Sequence, residues 1–264
     1  MSVVLLDADG NLFPSEEPAF AASVNVTNRF LEHLGVPTRY TAEELRTATT
    51  GKNFRTTAVD LAAHWGVPIH PDLARRDGWP SRADDRPVLT AADLEYWVGQ
   101  ECDEVTAYLG EVLRPDPDVL LPLHRLHRVY RLAAVSSSAL MRLKACFSAT
   151  GLDDLVPEPV RFSAEDSLPV PTSKPDPAVY RYAVEALGIA AAQAVAIEDS
   201  VPGVASAVAA GVPTIGNLVF VPVDERAERR DELAAAGACA VTDSWHDIAA
   251  LLTAPVETPA ARSM

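Results

Sequence analysis

Val3-Val4-Leu5-Leu6-Asp7-Ala8-Asp9-Gly10-Asn11-Leu12-Phe13, VVLLDADGNLF, is the stretch from which the rest of the chain can be read. Its apolar opening has the length and composition of a buried strand, and Asp7 and Gly10 stop it. Two carboxylates two residues apart at a strand end can share a site. A glycine immediately after them lets the backbone turn without a Cβ in the way.

The same signature recurs downstream. VYRLAAVSSS (129–138) is a strand running into serines, and AVAIEDS (194–200) is a strand running into acids. VPTIG (212–216) and ACAVTDS (238–244) read as further strands. Helical patterns fill the intervals after Ser138, at 201–211 and at 245–252, and His124 and His127 fit a helix before the second strand. Strand alternating with helix predicts an α/β fold, a Rossmann-like parallel sheet with helices on both faces. Between the first strand and the second the rhythm is different. Residues 16–35, 41–49, 53–65 and 91–113 carry helical spacing, and 66–90, rich in Pro, Asp and Arg, reads as a long loop. The expected organisation is a core from residues 1–14 and 116–253, an inserted α-helical cap over 15–115, and a frayed tail over 254–264.

Composition narrows the function classes. The 264 residues carry a formal net charge of −15, which argues against a nucleic-acid partner. Hydrophobic residues make up 48%, enough for a large core, but no apolar run reaches the ~20 residues of a membrane span. Cys102, Cys146 and Cys239 have neither the spacing of a zinc site nor the even count of a disulfide framework, so reduced thiols are expected. The N-terminus lacks the charge and residue order of a signal peptide, and a cytoplasmic protein is the expectation.

In an open parallel sheet the ligand crevice lies beyond the carboxyl ends of the strands. Asp7 and Asp9, Ser136 to Ser138, and Glu198 with Asp199 would meet there, joined by the loop Ser173-Lys174-Pro175-Asp176-Pro177 that opens a helix. Three carboxylates in one crevice repel one another unless a cation sits among them, and oxygen-only ligands favour Mg²⁺. Metal, lysine and hydroxyl together are suited to a phosphoryl group.

This ordered set resembles the haloacid dehalogenase superfamily, in the branch with a helical cap after the first motif that includes phosphoglycolate phosphatases and β-phosphoglucomutases. DADGNLF corresponds to its first motif, VSSSA to the second, Lys174 in SKPDPAVY to the third and AIEDSVPGVASAVAAG to the fourth. The resemblance implies a Mg²⁺-dependent phosphatase acting on a small phosphate monoester, a sugar or polyol phosphate. Asp7 would attack phosphorus to form an aspartyl-phosphate, and Asp9 would serve as acid and then base. Ser136, Ser137 and Lys174 would hold the phosphoryl oxygens. Asp7, the Asp9 carbonyl and Asp199 would hold the metal, with Glu198 either supporting it or positioning Lys174.

Specificity should reside in the cap. Lys52, Asn53 and Arg55, in TGKNFR (50–55), and Glu17 in the first cap helix are the candidate contacts to the leaving group. Hinges are expected near 14–16 and 114–117, flanked by Pro14, Pro115 and Pro117. The second aspartate argues against a dehalogenase. Ala19 stands where the resembling phosphomutases carry a histidine, so hydrolysis is favoured over the alternative of a sugar phosphomutase. Pro14 replaces an acid common just after the first motif in this branch. A phosphonatase would need Lys52, the only cap lysine, as its Schiff base. A non-catalytic protein that binds a phosphate ligand is the remaining alternative.

Overall fold

The structure, a computed structural model, describes residues 2–49, 53–73 and 87–254. Six parallel strands form one sheet: β1 (Val3–Leu6), β2 (Arg131–Ser136), β3 (Arg161–Ser163), β4 (Ala194–Glu198), β5 (Thr214–Asn217) and β6 (Ala240–Thr242), in the order β3-β2-β1-β4-β5-β6. β1 lies at the centre, with Leu6 opposite Ala134 on one side and Ile197 on the other. The order reverses at β1, so the crevice for a ligand falls beside the carboxyl end of that strand.

β1 and the middles of β2 and β4 are apolar because both faces are covered. Their side chains alternate between two layers. Val4, Leu6, Leu132, Ala134, Val195 and Ile197 belong to one buried cluster, which also takes in α5 (Pro117–His127), α6 (Leu140–Thr150) and α10 (Trp245–Thr253). Val3, Leu5, Ala133, Val135, Ala194 and Ala196 belong to the opposite one, under α7 (Ala178–Ala186) and α8 (Val201–Ala209).

The helices inserted between β1 and β2 are α1 (Glu16–His33), α2 (Ala42–Thr49), α3 (Phe54–His64) and α4 (Ala91–Val112). They have their own core, in which Phe30 meets Phe54 and Trp97 edge-on at 6.3 and 6.0 Å between ring centroids. α4 starts at a capping box made by Thr90 and Asp93. Its later half, through Val105 and Leu109, packs into the cluster under the sheet instead. Glu101 at its middle pairs with Arg142 of α6 at 3.0 Å, both largely buried. The inserted region is thus joined to the sheet layer by apolar contact and by charge.

Two elements escape the sequence reading. β3 has three residues at the sheet edge, too few for a period. α9 (Arg226–Ala235), RAERRDELAA, buries only Leu233, so it has almost no apolar stripe to recognise. The long loop expected over 66–90 contains a short 3₁₀ turn at Pro71–Leu73 and a bridge between Ile69 and Leu89. Lys52 and the tail from 255 onward lie outside the described residues.

Candidate active site

Asp7 follows β1 and is almost fully buried. Its carboxylate accepts a hydrogen bond from Lys174 Nζ. The same ammonium donates to Glu198 Oε1 at 2.7 Å and to the Val135 carbonyl at 2.8 Å, so all three of its protons are taken. Burial works against the charged lysine, but the Asp7 and Glu198 charges outweigh it and raise its pKa. The buried Tyr180 hydroxyl also donates to Glu198 Oε1. Glu198 Oε2 is buried without a hydrogen-bond partner. A Cβ on Gly203, in the first turn of α8, would stand 1.8 Å from that oxygen.

Asp9 occupies a different setting. Its two carboxylate oxygens accept from Ser15 Oγ at 2.6 Å and Ser138 Oγ at 2.7 Å. Ser15 is the residue before α1, and because its hydroxyl is used on Asp9 it caps no helix N–H. The two acids that lie so close in sequence therefore have different partners: a lysine for Asp7 and two hydroxyls for Asp9.

The turn between them is held from beneath. Asn11, fully buried, donates to the carbonyls of Asp7 at 2.8 Å and Ile197 at 3.2 Å. Its own side-chain oxygen accepts from Asn217 at 2.8 Å, and its backbone carbonyl accepts from Trp245 Nε1 at 2.9 Å. Gly10 is required here twice over: φ is +72°, and a Cβ would stand 2.2 Å from Asp199 Oδ2.

Asp7, Glu198 and Asp199 each offer an oxygen within 4.8 Å of the others. Burial, with the neighbouring acids adding to it, pushes the carboxyls of Asp7 and Asp199 up; in Asp7 the Lys174 charge opposes this without overcoming it. Burial likewise pushes Glu198 up to about 7. Three buried carboxylates that resist ionising together, with hard oxygen donors only, fit a divalent cation.

The second strand's serines lie next to these groups. Ser136 Oγ accepts from the Ser138 N–H at 3.0 Å, and Ser137 Oγ accepts from the Lys174 N–H at 3.2 Å. None of them caps α6, whose N-cap is Ala139. Asp176 Oδ1 accepts from the Ala178 N–H at 2.8 Å at the start of α7.

The cap candidates are placed differently from the core set. Asn53 Oδ1 accepts from the Thr56 N–H at 2.9 Å and caps α3. Arg55 pairs with Glu95 and approaches Glu165, which follows β3, at 3.9 Å. Glu17 is exposed. Its neighbour Glu16, exposed as well, has its carboxyl carbon 3.6 Å from where a Gly10 Cβ would sit. Glu16 and Tyr180 are neighbours of the site that the sequence reading did not name, and the roles of Ser15, Ser138 and Asn11 in holding Asp9 and the turn were not read. For Ser15 and Glu16 the available signal was their position at the start of the first helix after the Asp7–Gly10 turn.

A family model described as haloacid dehalogenase-like hydrolase matches residues 1–211. A plasmid-borne phosphoglycolate phosphatase of Cupriavidus necator is 31% identical over 261 residues, covering 98% of this chain and 96% of that protein. A CBBY-like protein of Arabidopsis thaliana is 28% identical over 191 residues, 65% of this chain, and the match spans only 58% of the plant protein. Among solved structures, CbbY from Rhodobacter sphaeroides in complex with xylulose-(1,5)bisphosphate superposes with a TM-score of 0.61 at 24% identity, over 93% of this chain and 95% of that one.

Proposed function

Since the chain belongs to the haloacid dehalogenase-like hydrolases, we propose that it is a Mg²⁺-dependent phosphatase of a small polyol or sugar phosphate, working through an aspartyl-phosphate at Asp7. The observation that carries this reading is the contrast between the two acids. Lys174 holds one oxygen of Asp7 and so fixes the direction of the other. Asp9 sits between two hydroxyls at the start of the inserted region, where a leaving group would be.

Each residue then has a task that its surroundings support. Asp7 attacks phosphorus as the ionised nucleophile, and the acyl-phosphate carries the transferred group. Asp9 gives a proton to the departing ester oxygen and takes one back from the water that hydrolyses the acyl-phosphate. Ser136 and Ser137 hold the phosphoryl oxygens, and Lys174, aimed by Glu198 and Tyr180, sets its positive charge beside them and gives up one of its three present hydrogen bonds to reach the phosphoryl group. Asp7, Asp199 and the Asp9 carbonyl would hold Mg²⁺, which supplies charge neutralisation to the phosphoryl group when bound. Glu198 has one oxygen shared by Lys174 and Tyr180, which suits positioning of Lys174.

The division into a core (1–14, 116–253) and a cap (15–115) is part of this proposal. So are a cytoplasmic location and a metabolite-sized substrate enclosed beneath the inserted helices. The relatives' printed names refer to small phosphorylated metabolites, xylulose-(1,5)bisphosphate as a bound molecule and phosphoglycolate in the name of a phosphatase. Ala19 packs against the sheet-layer cluster and offers no proton-transfer group for a mutase.

Phosphate release from a panel of small esters, with Mg²⁺ and with chelator, tests the reading. Release that needs the metal and vanishes in Asp7→Asn is expected. A folded protein that releases phosphate from no ester overturns it.

A further inference from the structure

We infer that Asp166 is a positioning residue for the phosphoryl-binding serines, holding from outside the helix into which they lead; the inference rests on the phosphatase reading. α6 starts directly after Ser136-Ser137-Ser138. Its N-cap is Ala139, which has no side-chain acceptor for the unpaired N–H groups of the first turn. Serine is a favoured cap, yet all three hydroxyls are used away from the helix. Ser136 Oγ accepts from the Ser138 N–H, Ser137 Oγ accepts from the Lys174 N–H, and Ser138 Oγ donates to Asp9. The missing acceptor comes from another element: Asp166 Oδ2 accepts from the Leu140 N–H at 2.6 Å.

The turn that carries Asp166 is tied to the same sheet. It follows β3, whose Ser163 stands opposite Ser136 in the strand register. Ser163 is fully buried, and its Oγ accepts from the N–H groups of Glu165 at 3.1 Å and Asp166 at 3.0 Å. Its own N–H donates to Ser167 Oγ at 2.9 Å, and the Ala164 N–H donates to the Ser136 carbonyl at 2.9 Å. Asp166 is thus fixed relative to the strand end that bears the serines. Without it, the open N–H groups of α6 compete for the nearest hydroxyl, that of Ser138, at the expense of its bond to Asp9. The serine loop then loses the arrangement in which Ser136 accepts from Ser138 and keeps its own proton for a phosphoryl oxygen. The effect of Asp166, an exposed residue, runs through α6.

The experiment compares the unmodified protein with Asp166→Ala, Asp166→Asn, Leu140→Pro and Ser244→Ala. Leu140→Pro deletes the N–H that Asp166 accepts, at the first position of a helix, where proline is favoured; Ala139 before it is already extended, with ψ 146°. It removes the bond without unmaking α6, and it decides the matter alone if Asp166→Ala does not fold. Ser244→Ala removes the cap that Ser244 Oγ gives the Asp247 N–H of α10 and so controls for lost stability. Each protein is measured for Tm, for kcat/KM toward p-nitrophenyl phosphate with Mg²⁺, and for calorimetric affinity toward inorganic phosphate with Mg²⁺. Asp166→Ala and Leu140→Pro should lose about tenfold in phosphate affinity and in kcat/KM. Asp166→Asn, whose amide oxygen accepts the same N–H, should stay within about twofold of the unmodified protein. Ser244→Ala should lower Tm and leave both other readouts in place. Unchanged phosphate affinity in Asp166→Ala and Leu140→Pro overturns the inference and leaves the phosphatase reading standing. So does Asp166→Asn failing as Asp166→Ala does, or an equal loss in Ser244→Ala. Phosphate affinity that shifts as expected without ester turnover supports Asp166 and refutes the phosphatase reading. An unmodified protein that binds no phosphate refutes the inference as well.

Discussion

Replacing Gly203 by alanine should weaken the protein, although the position is helical and alanine is the better helix former. Alanine gains at most about 1 kcal/mol over glycine in a helix. At Gly203 its methyl would stand 1.8 Å from Glu198 Oε2 and 2.4 Å from Cδ, with Ser200 Oγ at 2.8 Å. Glu198 has no room to yield, because its other oxygen is held by both Lys174 and Tyr180. Moving it sacrifices at least one charge-assisted hydrogen bond, about 1.5–3 kcal/mol each. The net loss should be about 2–5 kcal/mol if both bonds are disturbed. Gly99 supplies the opposite case, since it lies on the exposed side of α4 and a Cβ there meets nothing within 4 Å. Gly99→Ala should gain about 0.5–1 kcal/mol. Urea unfolding of the two variants gives the free energies, and phosphate release gives the consequence for Lys174. Gly203→Ala should lose both stability and turnover. If it instead stabilises as Gly99→Ala does, with full turnover, the reasoning about Glu198 is refuted.

Lys174→Met leaves the buried carboxylates of Asp7 and Glu198 unpaired and should cost about 3–5 kcal/mol in the metal-free protein, measured by denaturant unfolding; a loss under about 1 kcal/mol would contradict the tie. Arg142→Met strands the largely buried Glu101 and should cost about 3 kcal/mol, much of it regained when Glu101→Gln is added; simple additivity would contradict a direct pair. In chelator, stability should fall as pH rises from about 5 to about 7.5. The native carboxyls have raised pKa values, Glu198 to about 7, so across that window the folded protein holds protons that the unfolded chain has lost. Mg²⁺ should accordingly raise Tm more at the upper end of the window; an equal gain at both ends would argue against a cation among these acids.

How far the sequence could be read depended on how much of each signal was local. The strand-end motifs are local: an apolar run stopped by acids or serines places Asp7, Asp9, Ser136, Glu198 and Asp199 at one end of a parallel sheet, where the structure brings them together. β3 and α9 were hidden because one is too short to show a period and the other buries a single side chain. The cap contacts were the hardest to read. Side chains such as Asn53 and Arg55 have competing local uses, and here the first caps a helix and the second pairs with Glu95. Nor does any periodicity reveal the Ser15 bond to Asp9, which fixes where α1 leaves the turn.

The central claim is a covalent intermediate on Asp7. The most direct measurement is rapid acid quench during turnover of a polyol phosphate with Mg²⁺, followed by peptide mass spectrometry of the protein and of Asp9→Asn. The account predicts a hydroxylamine-labile phosphoryl group on the peptide containing Asp7, accumulating when Asp9 no longer activates water. Steady turnover with no phosphorylated Asp7 at any quench time would contradict it.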